Sequence, residues 1–166
     1  MLRAGARAEH RLARATAEGV GDVAALPLLE KDHDHQDEAG DDEKIIAGQG
    51  TIGLEMLEDF PELDTIVVPI GGGGMISGIA TAAKALKPSI RIVGVETALY
   101  PSMRNVLRGD APVAGGQSIA DGIAVKNAGQ ITREICRRLV DELLLVSEES
   151  IERAIALLLA IEKTVA

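Results

Sequence analysis

The segment from Asp64 to Glu96 places a glycine-rich turn and a helical pattern between two short apolar runs. The runs "DTIVVPI" (64–70) and "IRIVGVE" (90–96) are rich in β-branched residues, and the first is typical of a strand buried on both faces of a sheet. Between them, "MISGIATAAKALK" (75–87) predicts a helix that ends before Pro88. Strand, helix and strand in this order predict a right-handed βαβ unit, so the chain should fold around a parallel sheet.

The same alternation continues on both sides of this unit. A helical pattern at residues 43–60 contains glycines that would allow close packing on the sheet, and an amphipathic helix is predicted at 130–140. A third strand, "ELLLVS", follows, and Ser147 can cap a last helix whose first turn holds Glu148. With one Phe, one Tyr and no Trp, the core must consist of Ala, Val, Ile and Leu. The predicted class is α/β, a partial three-layer αβα parallel sheet.

Composition divides the chain near residue 43. Residues 1–43 begin with an Ala- and Arg-rich stretch and end in the acidic "EKDHDHQDEAGDDE", so we expect a disordered or poorly packed segment. Residues 44–166 carry the regular pattern and form the predicted domain. Four adjacent residues of the acidic stretch resemble metal ligands but lack a preformed geometry, so no metal site is predicted at Asp32, His33, Asp34 and His35.

Charge and apolar patterning exclude several classes of function. The net charge of −9 and the lack of aromatic platforms disfavour nucleic-acid binding. No run approaches the roughly 20 apolar residues of a membrane span. The single cysteine, Cys136, cannot form an internal disulfide and lies in an apolar helical stretch, which favours an inert buried thiol. These features predict a soluble cytoplasmic protein that binds neither nucleic acid nor membrane.

The four glycines after the first strand predict an anion site. Glycines can adopt positive φ and carry no side chain, so successive N–H groups can face one ligand. The helix that follows adds free N–H donors and the positive end of its dipole. Neither nucleotide fingerprint fits: Met75 and Ile76 replace the Lys-Ser/Thr of a P-loop, and G-x-G-x-x-G fails in both registers, which end at Ile76 and Ser77. Glu96, at the end of the next strand, keeps a nucleotide interpretation open.

Four segments in this order resemble the threonine dehydratase and serine racemase family: "AGQGTIGLE" (47–55), "IVVPIGGGGMISGIATAAKALKP" (66–88), "GVE" (94–96) and "SIADGIAV" (118–125). The resemblance covers about residues 42–166. It implies a fold-type-II enzyme that uses pyridoxal 5'-phosphate, similar to the tryptophan synthase β fold. This chain would be a fragment of the large domain.

The resemblance also assigns the anion. It implies that the phosphate of pyridoxal 5'-phosphate is bound by the backbone amides of Gly71, Gly72, Gly73, Gly74 and Met75.

Two further positions match the family in part. The segment at residues 120–122 resembles a loop that passes near the cofactor ring. Some relatives bind a divalent cation near the acid that corresponds to Glu96, with a second acid six residues later, where this chain has Ser102. Because of that departure, we predict no metal site here.

The implied reaction is β-elimination of water from threonine or serine, which gives a 2-oxo acid and ammonia in amino-acid metabolism, including isoleucine biosynthesis. In the family the Schiff-base lysine stands in a Ser-Phe-Lys-like motif upstream of the matched part, and no lysine of this chain stands in such a motif. We expect solvated surface lysines at Lys31, Lys44, Lys84, Lys87, Lys126 and Lys163.

The chain is therefore predicted to hold no catalytic residue of its own, to be inactive alone, and to belong to a homo-oligomeric parent enzyme. Its exposed sheet edges and apolar helix faces should favour association. The alternative hypothesis is a non-catalytic phosphate- or nucleotide-binding α/β module.

Overall fold

A computed structural model of the chain describes residues 41–163. The helices are α1 (Glu43–Asp59), α2 (Gly74–Leu86), α3 (Ser102–Arg108), α4 (Gln130–Leu139) and α5 (Glu148–Ile161). The strands are β1 (Thr65–Pro69), β2 (Arg91–Thr97) and β3 (Glu142–Val146), and a short 3₁₀ helix covers Asp121–Ile123. None of these helices is long and apolar enough to cross a membrane.

The strands form one parallel sheet in the order β1-β2-β3. Val67 is level with Val93 in β1 and β2, and Val95 is level with Leu144 in β2 and β3. Helix α2 connects β1 to β2, while α3 and α4 lie between β2 and β3. The predicted α/β class and parallel sheet are confirmed. The sheet brings the ends of β1 and β2 side by side, next to the glycine-rich turn.

The core lies between one face of the sheet and α2. Side chains of β1 and β2 that point to this face, including Ile66, Val68 and Ile92, pack with Ile79 and Ala83 of α2. The other face of β1 is open: Val67 is 62% exposed. The prediction that this strand is buried on both faces is therefore wrong for the described part of the chain. An apolar run shows that a strand is buried, but not how many faces are covered.

Helix α1 packs on α2 through small residues. A Cβ at Gly78 would lie 2.3 Å from the Ile46 carbonyl oxygen and 2.6 Å from the Gly50 nitrogen. Only glycine permits that approach of two backbones. The sequence predicts that the α1 glycines pack on the sheet, but Gly50 and Gly53 face α2 instead. The Asp42 carboxylate caps α1 by accepting hydrogen bonds from the first-turn amides.

Helix α5 begins as predicted and then leaves the core. The Ser147 hydroxyl accepts a hydrogen bond from the Ser150 amide, which confirms the N-cap. No residue of α5 is buried. Its apolar side chains include Leu157, 54% exposed, and Ile161, 69% exposed. These side chains form an exposed apolar surface on the helix.

Candidate anion site at the tetraglycine loop

The tetraglycine loop connects the end of β1 to the start of α2. The Ile70 amide still donates to the Val95 carbonyl (2.8 Å), so the loop begins where the sheet ends. Gly73 has φ +99° and is the N-cap of α2. A Cβ at Gly73 would lie 2.6 Å from Met103 Cε and 2.8 Å from Thr132 Cβ. This position needs glycine for two separate reasons, its backbone conformation and its close neighbours.

The carbonyl groups of residues 71–73 are turned toward the protein. The Gly72 carbonyl accepts from the Thr132 hydroxyl (2.7 Å) and the Gly129 amide (3.2 Å). The Gly73 carbonyl accepts from the Ser77 amide at 3.0 Å. The Ser102 hydroxyl lies 3.4 Å from the Gly71 carbonyl oxygen. The Gly72 and Gly73 carbonyls therefore have donors within the fold, while the Gly71 carbonyl lies beside a hydroxyl whose single proton is also within reach of Glu96.

The amide groups of the same loop differ from its carbonyls. Within the described part of the chain, no N–H of residues 71–75 donates to a protein acceptor. In a planar trans peptide, a carbonyl and the next N–H point in opposite directions. Carbonyls directed into the fold therefore direct the N–H groups of residues 72–74 away from it. A Cβ at Gly72 would meet nothing within 4 Å, so the space beside the loop is open. A row of free amides beside open space at a helix N-terminus fits a phosphate group.

The segment that resembles the family's ring-side loop lies against this site. A Cβ at Gly71 would lie 3.1 Å from Val125 Cγ2 and 3.3 Å from the Ile123 Cα. The 3₁₀ helix Asp121–Ile123 therefore follows the edge of the tetraglycine loop. The two motifs recognised in the sequence therefore lie side by side in the fold.

Glu148 fixes the start of that segment, which the sequence does not predict. Its carboxylate accepts from the Thr97 hydroxyl (2.6 Å), the Ser118 hydroxyl (2.9 Å) and the Ile119 amide (2.8 Å). The Thr97 bond and then the Ile119 bond lower the pKa of Glu148. The sequence assigns Glu148 only to the first turn of α5. Its partners come from β2 and from a loop about thirty residues earlier, so local sequence carries no signal for them.

Glu96 is fully buried, and its carboxylate is directed at the start of α3. It accepts from the amides of Met103 (2.7 Å) and Arg104 (2.9 Å), and the Ser102 hydroxyl lies 3.3 Å away. Burial raises the pKa of Glu96, and these hydrogen bonds oppose that rise. The carboxylate therefore caps α3. Residues 41–163 contain no group of three His, Cys, Asp or Glu side chains placed to hold a metal ion. The Asp32–His35 cluster lies outside the described residues.

Two lysines have partners that the sequence does not predict. The Lys84 ammonium pairs with the Asp141 carboxylate at 2.8 Å, and its side chain is only 19% exposed. The Lys87 ammonium donates to the carbonyls of Leu63 (2.6 Å) and Pro61 (3.1 Å). Lys84 is therefore less solvated than predicted, while Lys87 keeps a partly exposed position and gains two fixed partners there. Lys31 lies outside the described residues.

Cys136 agrees with its prediction as an inert thiol. The residue is 1% exposed, and burial raises the pKa of its thiol to about 11. Its sulfur lies 3.8 Å from the Ser77 hydroxyl, inside the contact between α4 and α2.

Comparison with known proteins decides the family. Residues 6–166 match the family described as pyridoxal-phosphate dependent enzyme. The chain belongs to this family. It is 49% identical over 127 residues to the L-threonine ammonia-lyase of Thermotoga maritima. This match covers 75% of this chain and 32% of the relative. It is 44% identical over 133 residues to the catabolic L-threonine dehydratase TdcB of Escherichia coli K12, covering 75% and 39%.

Solved structures agree with these relatives. A structure of maize serine racemase has a TM-score of 0.66 and 41% identity, and the match covers 72% of this chain and 38% of that chain. A structure of threonine deaminase isoform 2 from Solanum lycopersicum has a TM-score of 0.70 and 34% identity, covering 75% and 37%. The resemblance to the threonine dehydratase and serine racemase family and the fold-type-II assignment are confirmed. The chain spans 30–39% of the length of the first curated relatives it matches. The division at residue 43 stays a prediction.

Proposed function

We propose that this chain carries the phosphate-binding segment of a pyridoxal-phosphate-dependent threonine or serine ammonia-lyase. The observation that supports this most is the tetraglycine loop, whose carbonyls are bonded to the fold and whose amides have no protein acceptor among the described residues. The relatives named as threonine ammonia-lyases support the substrate class. The amides of residues 71–75 would hold the phosphate of the cofactor. When bound, pyridoxal phosphate supplies the electron sink for β-elimination of water from the hydroxyamino acid.

The lysine that this chemistry requires is proposed to lie outside the chain. Lys84 follows Gly73 by eleven residues along α2, about 16 Å at the helical rise per residue, and it is paired with Asp141. Lys87 is farther along and is bonded to carbonyls. We therefore expect the purified chain to release no 2-oxobutanoate from threonine in the presence of pyridoxal phosphate. Measurable release would contradict this, and its loss in Lys126→Met would then assign the reactive lysine to the residue next to Val125.

Phosphate binding can be tested without activity. Backbone amide spectra (¹⁵N-¹H NMR) of the whole chain are recorded during titration with inorganic phosphate, pyridoxal phosphate, ATP or NAD. We expect phosphate and pyridoxal phosphate to move the amide signals of residues 71–75 first. Selective response to ATP or NAD would favour the nucleotide alternative, and no response in the loop would refute an anion site there.

A matched pair of variants sharpens that test. Gly72 does not have positive φ, and a side chain there would enter open space, so Gly72→Asp should fold. Its carboxylate would repel phosphate, and binding should weaken at least about tenfold, because like charges within a few ångström cost more than 1 kcal/mol outside bulk water. Gly72→Asn has the same shape without the charge and measures the steric part alone. Equal binding by the two variants would contradict phosphate binding beside Gly72.

The compartment, the pathway and the oligomeric state are inferred from the resemblance to the threonine dehydratase and serine racemase family. We propose a cytoplasmic enzyme of amino-acid metabolism, with isoleucine biosynthesis as its expected pathway and a homo-oligomeric parent. A single reduced cysteine supports the compartment. Exposed apolar residues on α5 support association. Fractionation of cells and measurement of the mass of the native protein test the location and the oligomer.

A further inference from the structure

Thr132 connects α4 to the tetraglycine loop. Its side chain is fully buried, and its hydroxyl donates to the Gly72 carbonyl at 2.7 Å. The Gly129 amide donates to the same oxygen at 3.2 Å. One carbonyl therefore takes two donors from the first turn of α4, sixty residues along the chain. This uses both acceptor positions of the Gly72 oxygen.

Asp41 in turn fixes the first turn of α4. Its two carboxylate oxygens accept from the amides of Gln130 (2.7 Å) and Thr132 (3.0 Å). A Cβ at Gly129 would lie 2.2 Å from Asp41 Oδ1, so the carboxylate occupies the space that a side chain at 129 would need. A carboxylate at a helix N-terminus satisfies free amides and interacts favourably with the helix dipole. Asp41, α4 and Thr132 therefore form a continuous chain of contacts that ends on the loop.

The direction of one amide depends on this chain of contacts. The peptide between Gly72 and Gly73 is planar and trans, so its N–H points opposite to its carbonyl. Holding the Gly72 carbonyl against Thr132 leaves the Gly73 N–H pointing away from α4. Without the hydroxyl, rotation of this peptide would cost less, because glycine on both sides gives the backbone wide freedom.

We propose that Thr132 and Asp41 are positioning residues that orient the Gly73 amide toward a bound phosphate. This inference rests on the proposed function, since it assumes that the loop binds phosphate. Neither side chain needs to touch the ligand: Thr132 acts through the Gly72 carbonyl, and Asp41 acts through α4.

The test compares Thr132→Val, which has nearly the same shape without the hydroxyl, with Thr132→Ser, which keeps it. Binding of inorganic phosphate to the whole chain is followed through the amide signals. We expect Thr132→Val to weaken binding about fivefold, the equivalent of one lost hydrogen bond, with the largest change at the Gly73 signal. Thr132→Ser should restore binding to within about twofold, because the donor is back in place.

Stability is measured for the same variants by urea unfolding. If Thr132 only stabilised the fold, its variants would unfold at lower urea concentrations. Their affinity for phosphate, measured where the chain is still folded, would be unchanged. Asp41→Asn provides a second route if Thr132→Val does not fold, because it leaves the hydroxyl in place and removes one of the two acceptors of α4. It should weaken phosphate binding less than Thr132→Val does.

The outcomes separate the two proposals. Absence of phosphate binding by the unchanged chain would refute the proposed function and this inference with it. Normal phosphate binding by folded Thr132→Val and folded Asp41→Asn would overturn the positioning role and leave the proposed function intact. Loss of binding in both Thr132→Val and Thr132→Ser would also overturn it, because the hydroxyl would not be the group that matters.

Discussion

Gly73 should be the least replaceable residue of the tetraglycine loop. Its φ of +99° is unfavourable for alanine by about 1–2 kcal/mol. The added Cβ would also lie 2.6 Å from Met103 Cε and 2.8 Å from Thr132 Cβ. Relief of such overpacking costs about 1–3 kcal/mol. Alanine also reduces the conformational freedom of the unfolded chain, and this offsets less than about 1 kcal/mol of the destabilisation. We therefore expect Gly73→Ala to lower the free energy of unfolding by about 2–4 kcal/mol.

Two other glycines separate the causes. Gly109 also has positive φ, +77°, but a Cβ there would meet nothing within 4 Å, so Gly109→Ala should show the backbone cost alone, about 1–2 kcal/mol. Gly72 has neither positive φ nor close neighbours, so Gly72→Ala should stay within about 1 kcal/mol of the unchanged chain. The loss of unfolding free energy should therefore be smallest for Gly72→Ala, intermediate for Gly109→Ala and largest for Gly73→Ala.

Equilibrium urea unfolding, followed by far-ultraviolet circular dichroism, measures this order. With a slope of about 1.5 kcal/mol per molar urea, a loss of 3 kcal/mol moves the midpoint by about 2 M. Gly73→Ala with the stability of Gly72→Ala would refute both the positive φ and the close contact at Gly73. If Gly73→Ala and Gly109→Ala lost the same unfolding free energy, the cost of positive φ would explain both, and the close contacts at Gly73 would contribute nothing.

Three further predictions concern other parts of the fold. The buried Cys136, with a thiol pKa of about 11, should react with a disulfide reagent at pH 8 only after unfolding in urea; rapid labelling of the folded chain would contradict its burial. The pKa of Glu148 is lowered from 4.5 by its hydrogen bonds, so its stabilisation is present above that pH and is lost as the pH falls through the lowered folded value. Glu148→Gln should therefore remove part of the acid sensitivity, as measured by urea unfolding at neutral and at acidic pH, and an unchanged acid sensitivity would contradict this. Leu157 and Ile161 lie one helical turn apart and are exposed, so Leu157→Glu with Ile161→Glu should shift sedimentation toward the monomer, and an unchanged distribution would exclude α5 as the associating surface.

The elements of the fold could be predicted because each depends on neighbours in the sequence. The βαβ unit follows from two β-branched runs and the helix formers between them, and the N-cap at Ser147 follows from residues within one turn. The exposure of Val67 could not be predicted in this way. Whether the second face of a strand is covered depends on which other elements pack there, and no local pattern contains that information.

Some features of the candidate site could likewise be predicted from the sequence, and others depend on tertiary packing. Four glycines between a strand and a helix are enough to indicate an anion site, and the flanking motifs are enough to indicate which family uses it. The partners of the loop carbonyls come from α2, α3 and α4, at separations of up to sixty residues, so only the assembled fold shows which groups of the loop are occupied and which are free. Glu96 and Glu148 likewise acquire their roles from groups that come together in three dimensions.

Two adjacent aspartates show most directly which hydrogen-bond partners can be predicted from the sequence and which cannot. Asp42 accepts from the amides of Lys44 and Ile45, two and three residues away, so its role as the cap of α1 is determined by the sequence around it. Asp41 has the same side chain, but its partner amide at Gln130 is 89 residues away. Hydrogen bonding acts over about 3 Å in space, whatever the separation along the chain. The sequence therefore determined the elements and the loop, and tertiary packing decided which side chains hold the loop in place.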